Sequence, residues 1–426
     1  MYSIKMKRLK YYGKNTTLHG LKYVADEKRH PSIRIFWAIV FIASVYFMLT
    51  VFKVSYKTYE KNPISFVTET TYLDWNTSFP AITLCPIAGS EPKWDDDCRE
   101  AGQLKLFITD LIYFTGSCYS CNTPCSSCAS VNFTKYVEKY RKRCSQIVTS
   151  CRWNNQSFTC CDNMLPLETE YGVCYSLNSL HTKKGAKSQM NFMMNRKTGP
   201  GELWLQTKDD VRVYFHAPED VPFINSDPDQ RKDVMLGESV NISIDVIEIE
   251  NDDNVKHLPV WKRACKFPWE NDGVFVHDYY SYSTCVVQCH AENHFRLCNC
   301  THHLMPYYNK RSYCYIRGLK CLTDNFETVN RLHAKGFDKP GLVCDCLPSC
   351  VEPEYKVIVD TKGVKTTQSE IYIKMQSLPT SRFKRIVVRT TMDLVVSIGG
   401  IAGLFIGASL LSIVEILYLL FIRKVK

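Results

Sequence analysis

A glycine every fourth residue, at Gly399, Gly403 and Gly407, runs through an apolar stretch near the C-terminus that also holds Ser397, Ser409, Ser412 and the carboxylate of Glu415. Such a stripe serves close helix packing in membranes, but its polar company points to a second chemistry. An unpaired charge at that depth costs roughly 3 kcal/mol, so an intramembrane carboxylate faces a polar cavity or a partner. Gly407-Ala408-Ser409 is able to leave helical geometry and expose backbone carbonyls, which a bilayer tolerates only where they are buried in protein or line water. Rings of carbonyls supplied by several subunits replace the hydration shell of an ion. A single such helix closes no pore, so this chemistry requires a symmetric oligomer.

The elements that must position these groups follow from two apolar stretches, residues 35–52 and 394–422. Each is long enough to cross a hydrocarbon core of about 30 Å. The first is preceded by a basic tail and lacks a small-residue cleavage site, so it reads as a retained signal anchor rather than a cleaved leader. The second is longer than one span needs, which predicts tilt or a break. Lys and Arg outnumber Asp and Glu by ten, and the segments 1–34 and 423–426 carry +7 and +3 of that excess. Both tails are therefore expected in the cytoplasm by the positive-inside rule. With the remainder electrically balanced, the basic excess reflects topology and gives no motive for nucleic-acid binding.

All 21 cysteines lie between the two stretches, as do the Asn-x-Ser/Thr acceptors at Asn76, Asn132, Asn155, Asn241 and Asn299. An oxidising, glycosylated compartment turns Cys-x2-Cys spacings such as Cys118, Cys121, Cys125 and Cys128 into disulfides rather than zinc sites. Residues 53–393 thus form one cysteine-rich extracellular domain. Alternating or β-branched runs predict strands over 81–84, 203–206, 211–215, 240–249, 355–359 and 385–389. Helical periodicity marks 103–114, 133–147 and 278–293. The fold class is α+β: two transmembrane helices flank a large disulfide-rich domain with a mostly antiparallel β core and peripheral helices. His277, His290, His294, His302 and His303 read as packed or surface histidines, no metal is expected, and an enzyme finds no support.

The chain resembles the degenerin/epithelial sodium channel family, nearest its insect pickpocket branch, through motifs that occur in order along it. They are Leu18-His19-Gly20, Phe79-Pro80-Ala81-Ile82-Thr83-Leu84-Cys85-Pro86, Tyr171-Gly172-Val173-Cys174-Tyr175, Ala217-Pro218-Glu219-Asp220, Leu258-Pro259-Val260-Trp261, Cys344-Asp345-Cys346-Leu347-Pro348-Ser349-Cys350, and the run from Gly399 and Gly400 through Gly403 to Ser409. Residues 87–170 are largely unmatched.

The resemblance implies an acid-sensing-channel-like fold and a homo- or hetero-trimer with family paralogues in the plasma membrane. That assembly would be a voltage-independent, amiloride-sensitive channel opened by an extracellular stimulus, with Na+ as permeant ion and no cofactor. By position, Gly407, Ala408 and Ser409 resemble the selectivity filter, and His19 and Gly20 the cytoplasmic gating motif. Val396 resembles the degenerin position, and Trp261 the loop-tip tryptophan packed on a tyrosine after the first span, here Tyr59. Six disulfides are implied: Cys85 with Cys174, Cys265 with Cys350, Cys285 with Cys346, Cys289 with Cys344, Cys298 with Cys321, and Cys300 with Cys314. Lys61 stands where acid-sensing relatives tend to carry histidine, which removes a proton switch at that site, and Ser397 replaces an acidic residue. A competing reading is a non-conducting two-span cysteine-rich receptor or accessory subunit, which would leave Glu415 and the filter-like run without a role.

Overall fold

A computed structural model describes residues 11–61, 63–71, 74–88, 102–122, 133–185, 190–271, 276–306, 313–333, 341–364 and 367–418. The chain divides into two compact units: Met1–Val67 with Asp252–Arg263 and Arg385–Lys426, and Thr68–Asn251 with Ala264–Lys384.

The second unit is built on two sheets. The first has six strands in the order Glu354–Val364, Glu238–Ile247, Ser369–Met375, Glu202–Thr207, Val148–Trp153 and Gln156–Phe158. The second has five, in the order Arg231–Val234, Val211–His216, Ala81–Pro86, Gly172–Leu177 and Leu165–Thr169. Pairing is antiparallel except between Glu238–Ile247 and Ser369–Met375. Residues of Glu202–Thr207 and Ser369–Met375 alternate between buried and half-buried, so each strand puts every second side chain into the core. Ala81–Pro86 is buried on both faces, and its apolar run meets Leu177, Leu203, Val213 and Ile371 in the main core. Asn154 and Asn155, both with positive φ, turn the hairpin from Val148–Trp153 into Gln156–Phe158, as two-residue hairpin turns require.

The helix expected over 133–147 is two helices, Phe133–Tyr140 and Cys144–Ile147. The break falls at Arg141, whose guanidinium donates to the carbonyls of Ile112 and Tyr171 and whose Nε donates to that of Val173. The helix expected over 278–293 runs from Tyr282 to Cys298. Ser281 caps it by accepting from the Thr284 N–H, and Asn299 ends it in the left-handed conformation, the usual αL stop. The short helix Ile316–Asp324 had no expectation.

Nine disulfides join the eighteen described cysteines. Cys85–Cys174 bridges neighbouring strands. Cys285–Cys346, Cys289–Cys344 and Cys298–Cys321 staple the helix Tyr282–Cys298 to its surroundings, while Cys265–Cys350 and Cys300–Cys314 join segments outside it. Three more, Cys118–Cys121, Cys144–Cys161 and Cys151–Cys160, had no assignment from sequence. Cys98, Cys125 and Cys128 lie outside the described residues, as does Asn132. The other acceptors, Asn76, Asn155, Asn241 and Asn299, are exposed.

The first unit is helical. Pro31–Lys61 is a single 31-residue helix containing an 18-residue window of mean hydropathy 2.4 and, by length and composition, is long enough to cross a bilayer. It extends past the apolar residues 35–52 at both ends. Thr391–Ile406 packs against it. A second helix, Leu410–Leu417, follows after three residues with a bend of 70°. The expected single stretch 394–422 is thus a broken pair, with residues 419–422 outside the description.

Candidate functional site

The break at 407–409 is assembled from local signals on both sides. Gly407 takes φ +68° as the left-handed end of Thr391–Ile406, a conformation that costs a residue with a Cβ about 1 to 2 kcal/mol. Its N–H reaches the Gly403 carbonyl and the Ala408 N–H reaches that of Ala402, so the last turn is closed before the chain departs. Ser409 then starts the next helix. Its hydroxyl accepts from the Ser412 N–H at 3.3 Å, while the Ser412 hydroxyl accepts from the Ser409 N–H at 3.2 Å. This reciprocal arrangement is a capping box with serine in the usual glutamate position. A glycine stop followed by a serine start makes the break a property of this short sequence.

Between the two caps the backbone has spare acceptors. Among the described residues no hydrogen bond reaches the Gly407 or Ala408 carbonyl. In a bilayer such groups need water, an ion or another chain. The glycine stripe divides here: a Cβ on Gly399 or Gly400 would meet nothing within 4 Å in the single chain, whereas one on Gly403 would lie 3.7 Å from the Ala408 carbonyl oxygen. Val396 is exposed and Ser397 half-exposed on the same helix, which is anchored at its start by the Thr390–Asp393 capping box.

The N-terminal segment packs directly against the break. The His19 N–H donates to the Ile406 carbonyl at 3.0 Å. The His19 ring lies over Gly407 so closely that a Cβ there would sit 2.7 Å from three of its atoms. Two residues earlier, the Thr17 hydroxyl donates to Glu415 at 2.6 Å, its N–H approaches the same carboxylate oxygen at 3.3 Å, and its hydroxyl lies 3.1 Å from that of the buried Ser412. Glu415, expected to need a partner, finds it in Thr17, which sequence reasoning missed. The available signal was the threonine pair immediately before the His-Gly motif.

Gly20 makes the next turn, at φ +82°, with the Trp37 ring 3.4 Å from where its Cβ would be. The short helix Leu21–Ala25 then runs back toward Pro31–Lys61. Tyr23 packs on Trp37 with centroids 4.9 Å apart, and Arg34 donates to the Val24 carbonyl. Together these contacts fold residues 16–25 into a hook packed against the helix break and the helix Pro31–Lys61.

At the other end of the same helices, the Tyr59 hydroxyl lies 3.4 Å from that of Thr391. Lys262 covers the Tyr59 ring, with Nζ 3.9 Å from its centroid, and also lies 5.4 Å from that of Trp261. Trp261 is 67% exposed. The ring packing expected between Trp261 and Tyr59 is replaced by one ammonium shared between two faces, a cation–π arrangement.

The chain thus combines one helix long and apolar enough to cross a bilayer, a second apolar segment broken at Gly-Ala-Ser, and a disulfide-stapled α+β unit. The family profile described as Amiloride-sensitive sodium channel matches residues 12–419, and the chain belongs to that family. It is 22% identical to Sodium channel protein Nach of Drosophila ananassae, over 95% of this chain and 84% of that protein. It is 23% identical to Pickpocket protein 28 of Drosophila melanogaster, over 97% and 78%, and to Acid-sensing ion channel 4-B of Danio rerio, over 97% and 75%.

Proposed function

We propose that this chain is one subunit of a trimeric, sodium-selective, amiloride-sensitive and voltage-independent cation channel of the plasma membrane, opened by an extracellular stimulus. In this reading both helical segments span the bilayer, residues 53–393 are extracellular, and both tails are cytoplasmic. The pore is lined by three copies of Thr391–Ile406, and Gly407, Ala408 and Ser409 form the filter. The observation that carries the proposal is the pair of unsatisfied carbonyls at Gly407 and Ala408, held between a left-handed glycine cap and a serine N-cap. Three such pairs around an axis supply the oxygen ring that strips a small cation of water. The hook containing His19 and Gly20 braces this break from the cytoplasmic side, and Val396 faces the outer pore, where added bulk favours the open state.

Recordings from cells expressing the chain, alone and with a family paralogue, test this reading. Val396→Phe is expected to give a standing amiloride-sensitive sodium current, and Ser409→Leu on that background to lower the sodium-to-potassium permeability ratio. Surface-delivered Val396→Phe protein that carries no such current in either setting would leave the receptor reading in its place.

A further inference from the structure

The outer face of the six-stranded sheet carries a row of side chains that crosses five of its strands in register. Arg152 lies opposite Trp204, Trp204 opposite Tyr372, Tyr372 beside Asn241 in the parallel pair, and Asn241 opposite Thr361. The sequence neighbours Leu203, Leu205, Ile371, Ile373, Val240 and Ile242 are buried, so the period-two pleat turns the row away from the core. Arg152, Asn241 and Thr361 are exposed, and Trp204 and Tyr372 are half-buried. The Arg152 guanidinium lies 4.0 Å from the Trp204 ring centroid, and the Tyr372 hydroxyl donates to Glu202, so each ring is held at its place on the sheet. Asn241-Ile242-Ser243 is a glycosylation acceptor. Among the described acceptors it is the one inside a strand, whereas Asn155 turns a hairpin and Asn299 ends a helix.

We propose that Tyr372 and Trp204 form an intramolecular carbohydrate platform on which the core N-acetylglucosamine of a glycan attached to Asn241 docks. Neighbouring strands are spaced so that Tyr372 stands about 5 Å to one side of Asn241 and Trp204 about 10 Å, the first within reach of the sugar bonded to the asparagine and the second within reach of the next. The C–H groups on the apolar face of a pyranose carry partial positive charge, and the face of an aromatic ring is negative. That face of the sugar therefore packs on the rings while its hydroxyls and acetamide remain in water. The guanidinium of Arg152 at the end of the row supplies N–H donors to a sugar hydroxyl. On the other side of Asn241 stands Thr361, which has no ring, so the row sets the direction in which the glycan lies down. A glycan held there keeps this face of the sheet out of contact with other subunits.

The presence of the glycan rests on the proposed extracellular placement of residues 53–393, whereas its docking is a separate claim, and the test tells them apart. Full-length chain is purified in detergent from glycosylating eukaryotic cells, and glycopeptide mass spectrometry is expected to find Asn241 occupied. Hydroxyl-radical footprinting then compares this protein with Asn241→Gln, an exposed substitution. Tyr372 and Trp204 are expected to oxidise roughly 2- to 10-fold faster in the variant, the factor that one ring contact gives, with the exposed Trp269 unchanged. Release of the Asn241 glycan by an amidase from the native protein is expected to quicken by about the same factor in Tyr372→Thr and to keep its rate in Tyr372→Phe, which retains the ring, with the Asn155 glycan as internal control. A glycan that merely shades the surface would be released equally fast from all three. Should Tyr372→Thr fail to fold, the footprint decides. Unchanged oxidation of Tyr372 and Trp204 in Asn241→Gln, equal release rates, or a bare Asn241 in a chain glycosylated at its other acceptors would each overturn the docking. A chain glycosylated at none of them would overturn the extracellular placement as well.

Discussion

Replacing Gly407 by alanine separates the two jobs that glycine does at the helix break. The backbone cost of placing a Cβ at φ +68° is about 1 to 2 kcal/mol, and it falls on the break itself. The second cost falls on the hook. The new Cβ would lie 2.7 Å from three atoms of the His19 ring, so the ring must swing away, and the His19 N–H bond to the Ile406 carbonyl goes with it. Losing that bond and its packing amounts to about 1 to 2 kcal/mol, a factor of roughly 5 to 30 in the local opening equilibrium. Hydrogen exchange followed by mass spectrometry on purified protein reads this directly, because amides in a locally opening segment exchange in proportion to that equilibrium. Residues 17–20 are expected to exchange about 5- to 30-fold faster in Gly407→Ala. In His19→Ala the ring is already gone, so adding Gly407→Ala is expected to change exchange there little further, the non-additivity of residues in contact. Unchanged protection of residues 17–20 in Gly407→Ala, or effects that simply multiply in the double variant, would refute the packing of hook against break.

Two further perturbations probe other parts of the molecule. Thr17→Ala and Glu415→Ala each remove the same charge-assisted hydrogen bond, worth about 1.5 to 3 kcal/mol, and are expected to loosen residues 16–20 in the same exchange experiment, with the double variant little worse than either; independent effects would mean that the two side chains do not act as a pair. The third prediction concerns acid. Burial lowers the pKa of His216, His294 and His303 to about 4 and places His302 well below its ordinary value. The unfolded chain, with histidines near 6.5, binds more protons than the folded one between pH 6.5 and 4, so stability is lost as pH falls through that window. Each such histidine contributes a loss of order 3 kcal/mol when its pKa differs by about 2.5 between the two states. Asp220 and Glu248, whose pKa values burial raises, act in the opposite sense and offset part of it. A melting temperature that stays level from pH 7 to pH 4 would refute this account.

The two apolar runs and the disulfide-bonded unit between them were legible in the sequence because they rest on one-dimensional quantities. The length of an apolar run and the confinement of cysteines between two such runs need no knowledge of contacts. The break at Gly407-Ala408-Ser409 was legible for a related reason: a left-handed glycine stop and a serine start are encoded within four residues of one another. A strand with clean alternation, Glu202–Thr207, was readable because period-two burial is a local pattern. The split at Arg141 was hidden, since the half-buried guanidinium at the break bonds carbonyls about 30 residues away on either side.

Contacts between distant segments were decided by the tertiary structure alone. Composition gave Glu415 an unnamed partner, and only folding brings Thr17 to it across 398 positions. The substitution of Lys262 for Trp261 over Tyr59 is of the same kind. Apolar length, charge bias and cap residues act through the solvent or the nearest turn, so they can be read along the chain. Pairwise hydrogen bonds and ring contacts are set by which surfaces the packed core brings together, and that information is spread over every residue that shapes the core.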